Sequence, residues 1–211
     1  MHTPKIYDEP DTAVMHALIR ARPLATLVTL TDNGLSANHI PCYLFDNGAQ
    51  GVLRAHVSRA NPIWQDFKQD VAVLAVFTDV DAYISPSWYA SKAENHKVVP
   101  TWNYGAVHAH GMMRVHDDAV WIRAQMDALT AQQEGVFDAP WAVDDAPQDY
   151  INPMIAHALI GIEIVIERLE GKWKVSQDKP ERNQASVIAG LEANGQAEMA
   201  QLVKVRGHAR A

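Results

Sequence analysis

Cysteine is nearly missing from these 211 residues, and Cys42 stands alone. A single thiol closes no intramolecular disulfide and builds no Cys-rich zinc site, and the missing disulfide framework fits a reducing cytoplasm. Long apolar runs are missing as well. No window approaches the ~18 uninterrupted apolar residues of a membrane span, and no apolar run follows Met1-His2-Thr3-Pro4-Lys5, so no signal peptide is expected. Cations are in short supply: 18 Lys and Arg against 25 Asp and Glu give a formal charge of −7 with the ten His neutral. This balance argues against a broad basic footprint for nucleic acid and leaves only a local patch open, such as the basic tail of Lys204, Arg206, His208 and Arg210, which is expected to fray. The 11 glycines are scattered through turns, which excludes the Gly-rich strand-to-helix loops of Rossmann and Walker type.

What is there is enough to fold. Apolar residues make up 48 % and charged residues 20 %, the balance of a soluble globular domain, at a length that buries a continuous core without staples. After Asp11 and Thr12, the residues Val14, Met15, Leu18 and Ile19 share one helical face. Pro23 ends that helix. A strand over residues 24–30 closes on Asp32-Asn33-Gly34, a second over 35–45 closes on Asp46-Asn47-Gly48, and a third covers 51–57, which predicts a helix feeding a three-stranded antiparallel meander. Asn61-Pro62 opens a short helix.

Residues 71–78 and 82–85 read as two strands, 101–115 as a long one, and 159–166 as the last core strand, continued by Trp173 and Val175. Helices are expected after Asp117-Asp118 to about Gln133, over 150–158, and from Asn183 onward with a break at Asn194-Gly195. The polar loop 86–99 carries Trp88, Tyr89, Lys92, Asn95, His96 and Lys97, and its length marks it as functional. Roughly six or seven short-spaced strands with peripheral helices predict an α+β, mainly antiparallel β barrel, with a main domain over 1–178 and a C-terminal helical extension over 179–211.

The chemistry concentrates in Leu53-Arg54-Ala55-His56-Val57-Ser58-Arg59-Ala60-Asn61-Pro62. A strand here delivers Arg54, His56 and Ser58 at period two to one face, with Arg59 at its end and a helix start beyond, a cradle for a phosphate. The solvated face of an edge strand gives the same spacing. His108 and His110 also point one way along a strand, which leaves a metal or haem reading with His39, His56 or His96, against histidines that hydrogen-bond in a pocket. No Gly-x-Ser-x-Gly elbow flanks Ser85, Ser87 or Ser91. Trp88, Tyr89, Trp102 and Tyr104 suit a planar heteroaromatic ligand, or equally packing and a subunit interface.

Several ordered segments carry a resemblance that runs nearly end to end: His16-Ala17-Leu18-Ile19-Arg20 with Pro23-Leu24-Ala25-Thr26-Leu27-Val28-Thr29, Ala37-Asn38-His39-Ile40-Pro41, the Leu53 to Pro62 stretch, Tyr83-Ile84-Ser85-Pro86-Ser87-Trp88-Tyr89, Val99-Pro100-Thr101-Trp102-Asn103-Tyr104, and Lys179-Pro180. In these the chain resembles the FMN-binding negative transcriptional regulators of the PaiB type, which are similar to pyridoxamine 5′-phosphate oxidase-like flavoproteins. The resemblance implies an FMN-binding split β-barrel with peripheral helices that forms a homodimer, with FMN in a groove between subunits. It implies a phosphate held by Arg54, Ser58 and Arg59 with His56 nearby. Asn38, His39, Trp88, Tyr89, Trp102 and Asn103 become candidates for lining the flavin or its partner site, and Lys179 and Arg182 for contacts from the second subunit. A flavin-dependent oxidoreductase with a nicotinamide donor is the alternative to a regulator or flavin sensor, and direct DNA binding finds no basic recognition helix here.

Overall fold

The structure, a computed structural model, describes residues 1–48 and 50–207, and His208 and Arg210 of the basic tail lie outside them. Helix α1 (Thr12–Ala21) begins where Asp11 Oδ1 accepts from Ala13 N at 2.8 Å. Among the described residues there are eight strands: β1 (Asp8–Glu9), β2 (Leu24–Thr31), β3 (Gly34–Pro41), β4 (Tyr43–Phe45), β5 (Val52–Ser58), β6 (Val73–Ile84), β7 (Thr101–His116) and β8 (Leu159–Lys174). The remaining helices are α2 (Ile63–Asp66), α3 (Lys92–Asn95), α4 (Ala119–Glu134), α5 (Gln148–Ala158), α6 (Glu181–Ala193) and α7 (Ala197–Arg206).

The expected three-stranded meander is instead two hairpins. β2 pairs with β3 across the Asp32-Asn33 turn, where Gly34 takes φ +105°, and β4 pairs with β5. The sheet order is β3-β2-β6-β7-β8-β5-β4, with β1 on β8. β3 and β4 are therefore the two ends of the order, yet only Cys42 separates them in the chain. A flat sheet cannot place its two ends one residue apart, so the sheet curls, and because β3 and β4 do not pair it remains a split barrel.

Two other expectations change. The strands expected over 71–78 and 82–85 are one strand, β6, because the stretch Thr78-Asp79-Val80-Asp81 stays extended between them. The loop after it holds a 3-10 turn at Pro86–Trp88 and the short helix α3.

Contacts group the chain into two units, one of residues 19–77 and 108–169, the other of residues 1–18, 78–107 and 170–211. The first has its core in Ile19, Leu27, Leu44, Leu53, Phe77, Ile122, Ile160, Ile162 and Ile164, all nearly inaccessible. Each such side chain contributes about 1.5–3 kcal/mol of transfer free energy. α4 closes on this unit with Asp118 as its cap, Oδ1 accepting from Val120 N at 2.8 Å and Trp121 N at 3.2 Å. In the second unit α6 and α7 bury Val187, Leu191, Met199 and Val203. There Arg206 is not frayed, because its Nη1 donates to the buried Glu9 at 2.7 Å and its guanidinium lies 4.6 Å from the Trp173 ring.

Candidate functional site

β5 presents Arg54, His56 and Ser58 at period two, as expected, but α4 covers the first two. Arg54 Nε donates to Glu163 Oε2 at 3.0 Å, and its guanidinium lies over the Phe45 ring at 4.1 Å and near the Trp121 ring at 5.6 Å. His56 Nδ1 is 2.7 Å from Gln125 Oε1, and the Gln125 amide nitrogen faces Arg54 O at 3.4 Å. That orientation makes Oε1 the acceptor and His56 Nδ1 the donor, which leaves Nε2 a donor only in the imidazolium form. Ser58 is exposed, and its Oγ accepts from Ala60 N at 3.3 Å, so its own hydroxyl proton is left to donate.

Arg59 is the most engaged of the four. Its Nε donates to His157 O at 3.1 Å and Nη2 to Leu159 O at 3.3 Å, holding the end of α5 to the start of β8. The outer edge of the same guanidinium grips Asp117 through Nη1 at 2.9 Å and Nη2 at 2.5 Å. Those hydrogen bonds, ahead of simple charge attraction, hold the Asp117 carboxyl below the usual carboxylate range. On β3, Asn38 Oδ1 accepts from Asn61 Nδ2 at 2.9 Å, while Asn61 Oδ1 accepts from Ile63 N at 3.1 Å, so Asn61 joins β3 to the start of α2. His39 is exposed and meets Thr26 Oγ1 across the hairpin at 3.1 Å.

The remaining candidates lie in the other unit. Trp88 packs so tightly on α6 that a Cβ at Gly190 would come within 2.5 Å of its ring. Tyr89 is buried with an unpartnered hydroxyl, its pKa raised by burial, and Lys179 Nζ lies 5.9 Å from its ring. Asn103 is fully buried and donates to Ser176 Oγ at 2.9 Å. Lys179 pairs with Asp178 at 2.6 Å, and Arg182 forks onto Glu94, with Nη2 to Oε2 at 2.8 Å. Trp102 is half exposed, meets Tyr83 edge to face at 6.0 Å, and walls a cleft of about 360 Å3 with Asp79, Asp81, Tyr104 and Gly105. Beside Gly105 lies the Trp173 indole nitrogen, buried and without a hydrogen-bond partner, 2.9 Å from where a Cβ would stand.

Sequence reasoning missed Asp117, Trp121 and Gln125, which cover or engage the β5 donors. Glu163 had a signal, as a carboxylate interrupting an apolar strand; Gln125 had a weaker one, a polar residue on the helix face that carries Ile122. The rings of His108 and His110 lie 6.3 Å apart on β7.

A family model described as "Putative FMN-binding domain" matches residues 1–168. The chain belongs to this family. An uncharacterized protein of Emericella nidulans is 31 % identical over 231 residues, with 92 % of each chain covered. The protease synthase and sporulation protein PAI 2 of Bacillus subtilis is 27 % identical, covering 91 % of this chain and 89 % of its own. Among solved structures, the FAD and heme binding protein from Mycobacterium smegmatis superposes with a TM-score of 0.59 at 18 % identity, covering 87 % of this chain and 80 % of that one. The flavocytochrome Anf3 from Azotobacter vinelandii does so at 0.55 and 13 %, covering 80 % and 69 %. The family therefore agrees with the PaiB-type resemblance read from the sequence, and the fold is the split barrel of flavin-binding proteins. No helix among the described residues is long and apolar enough to cross a membrane.

Proposed function

We propose that this protein binds FMN as a cytoplasmic homodimer and works as a flavin-dependent regulator. The family match over residues 1–168 carries the flavin reading. The donors at the end of β5 support it in kind. Ser58 has a hydroxyl proton to give, and Arg59 faces outward onto Asp117 in a solvent-exposed pair of the sort that exchanges easily for a better anion. A phosphate dianion, with more acceptor oxygens and more charge than a carboxylate, is such an anion. Arg54 stays with Glu163 in this reading and borders the site, as do His56, Asn38 and His39.

Within the other unit, and taken by itself, the Trp102 cleft suits a flat aromatic ring. It offers the aromatic side chains of Trp102 and Tyr104 beside the bare backbone of Gly105. The resemblance keeps Trp88, Tyr89 and Asn103 as candidates to line the flavin or its partner site, and Lys179 and Arg182 as candidates for a contact to it from the second subunit. Bound flavin supplies electron-transfer chemistry, and the protein supplies binding and orientation. The regulatory half of the reading rests on the resemblance and on the Bacillus subtilis relative, whose name ties that protein to protease synthesis and sporulation.

The test is the absorption spectrum of freshly purified protein, followed by FMN titration of stripped protein with fluorescence and melting temperature as readouts. Flavin bands and a raised melting temperature are expected. Absence of both a spectrum and a shift at saturating FMN removes the cofactor. Mixing the holoprotein with NADH or NADPH under stopped flow then separates sensor from oxidoreductase, rapid bleaching of the flavin being the enzyme's signature.

A further inference from the structure

Acidic residues and exposed apolar ones fall together in one stretch of the unit formed by residues 19–77 and 108–169. From position 124 to 150 the chain carries Asp127, Glu134, Asp138, Asp144, Asp145 and Asp149, and no Lys or Arg. In the same stretch Val136 is 80 % exposed, Phe137 61 % and Trp141 44 %. Surface Val and Phe side by side in water are costly to leave uncovered, and a rim of one charge around them marks an interaction surface.

Between the end of α4 and the loop that follows lies a cavity of about 420 Å3. Ala131, Pro140, Trp141 and the buried Val143 line it together with the carboxylates of Asp127, Glu134 and Asp144. The loop is held, not loose: Glu134 Oε2 accepts from Trp141 N at 3.0 Å, and Asp145 Oδ2 accepts from Ala142 N at 2.8 Å. Arg123 bridges Asp127 at 2.8 Å and Asp144 at 2.5 Å, which neutralises part of the rim and fixes the cavity mouth. Asp138 and Asp149 are exposed and outside that bridge.

We propose that this cavity and the Val136-Phe137 shoulder form a docking site for a Lys- and Arg-rich peptide segment of a partner protein that carries an apolar anchor. The anchor enters beside Trp141, and the cations meet Asp138, Asp149 and the outer oxygens of the rim. Charge selects the partner. Nucleic acid and acidic segments are repelled by the same carboxylates that attract a basic one, while the cavity discriminates among basic segments by demanding an apolar side chain at the right place. The site uses none of the residues assigned to the flavin.

The probe is a short fluorescent amphipathic peptide of Leu and Lys, with a scrambled isomer of equal composition and a Leu and Glu counterpart, titrated against the full-length protein and read by anisotropy. Saturable binding of the ordered Leu and Lys peptide is expected, weakening with salt. Trp141→Ala is expected to weaken it about tenfold or more, as removal of a central aromatic anchor does. Phe137→Ser, at a position too exposed to disturb folding, is expected to weaken it as well, and Asp138→Asn with Asp149→Asn to flatten the salt dependence. Equal binding of the scrambled isomer or of the Leu and Glu peptide overturns the proposal. So does unchanged affinity in both Trp141→Ala and Phe137→Ser, or peptide-independent self-association through this face.

Discussion

Arg54 donates through Nε to Glu163 Oε2 at 3.0 Å across the β5–β8 ladder, where the two residues are also direct register partners. The carboxylate is mostly buried and the guanidinium is roofed by Phe45 and Trp121, so the pair is a polar join inside an apolar face. Replacing Glu163 by Gln keeps the shape and a hydrogen-bond acceptor but leaves the cation uncompensated. Glu163→Gln is expected to lower unfolding free energy by about 1–3 kcal/mol, less than a fully buried pair because Arg54 retains some water. Urea titration of the wild type, Glu163→Gln, Arg54→Met and the double variant checks it. A double variant no better than the sum of the singles would mean the two side chains are energetically independent.

Gly161 sits on β8 directly under the Trp121 ring. A Cβ there would lie 2.4 Å from Cζ3 and 2.6 Å from Cε3, and the same ring stacks on His116 at 4.2 Å and 4°. The same Cβ would also lie 3.1 Å from His116 Cβ, so it would press on both members of the stack. Gly161→Ala is therefore expected to cost about 1–3 kcal/mol as an overpacked core position, and to move α4 away from β5. A drop in melting temperature together with a changed tryptophan emission checks it, and a variant as stable as the wild type would show that α4 adjusts freely.

Much of this arrangement was legible in local sequence, and the rest depended on partners far along the chain. The Asp32-Asn33-Gly34 and Asp46-Asn47-Gly48 turns announced both hairpins, because their chemistry is local. The break at Cys42 had one local signal, Pro41, which cannot donate to a ladder, and the pairing of β3 with β2 and of β4 with β5 is what separates the two strands. Period two correctly placed Arg54 and His56 on one face of β5. It had no means of showing that Gln125 and Trp121, from a helix about seventy residues later, would cover that face. Arg59 read as a free cation for the same reason: Asp117, His157 and Leu159 lie 58, 98 and 100 residues away.

Those distant partners give the flavin proposal its sharpest test. If Arg59 turns its outer edge to a phosphate, Asp117 is the competitor it must release. Asp117→Asn is then expected to tighten FMN binding several-fold, and Arg59→Ala to weaken it about tenfold or more by loss of a charge-assisted contact. Arg59 also holds the His157 and Leu159 carbonyls, so Arg59→Ala alone confounds binding with folding. Asp117→Asn does not share that ambiguity. Isothermal titration with FMN on both variants reads the effect, and an unchanged affinity in Asp117→Asn would take Arg59 out of phosphate binding.

Cys42, the one thiol of the chain, lies buried in the single-residue link between β3 and β4, and burial alone pushes its pKa up to about 12. The thiolate is the reactive form, so the native thiol should be inert to a disulfide reagent at neutral pH and react at once after denaturation. The same shift couples to stability. Because the folded-state pKa lies above the ordinary thiol value of 9.0, the folded state holds its proton longer than the unfolded one. The stabilisation is thus complete below pH 9 and is lost as pH rises from there toward 12. Tyr7 acts in the same sense: burial first, then the nearby Asp178 carboxylate, raise its phenol from 10.0 to about 12. Denaturant midpoints measured from neutral pH upward should therefore fall above pH 9. Cys42→Ser, whose hydroxyl does not titrate in that range, should show a shallower decline, and an identical slope in both proteins would mean the thiol is solvated in the folded state.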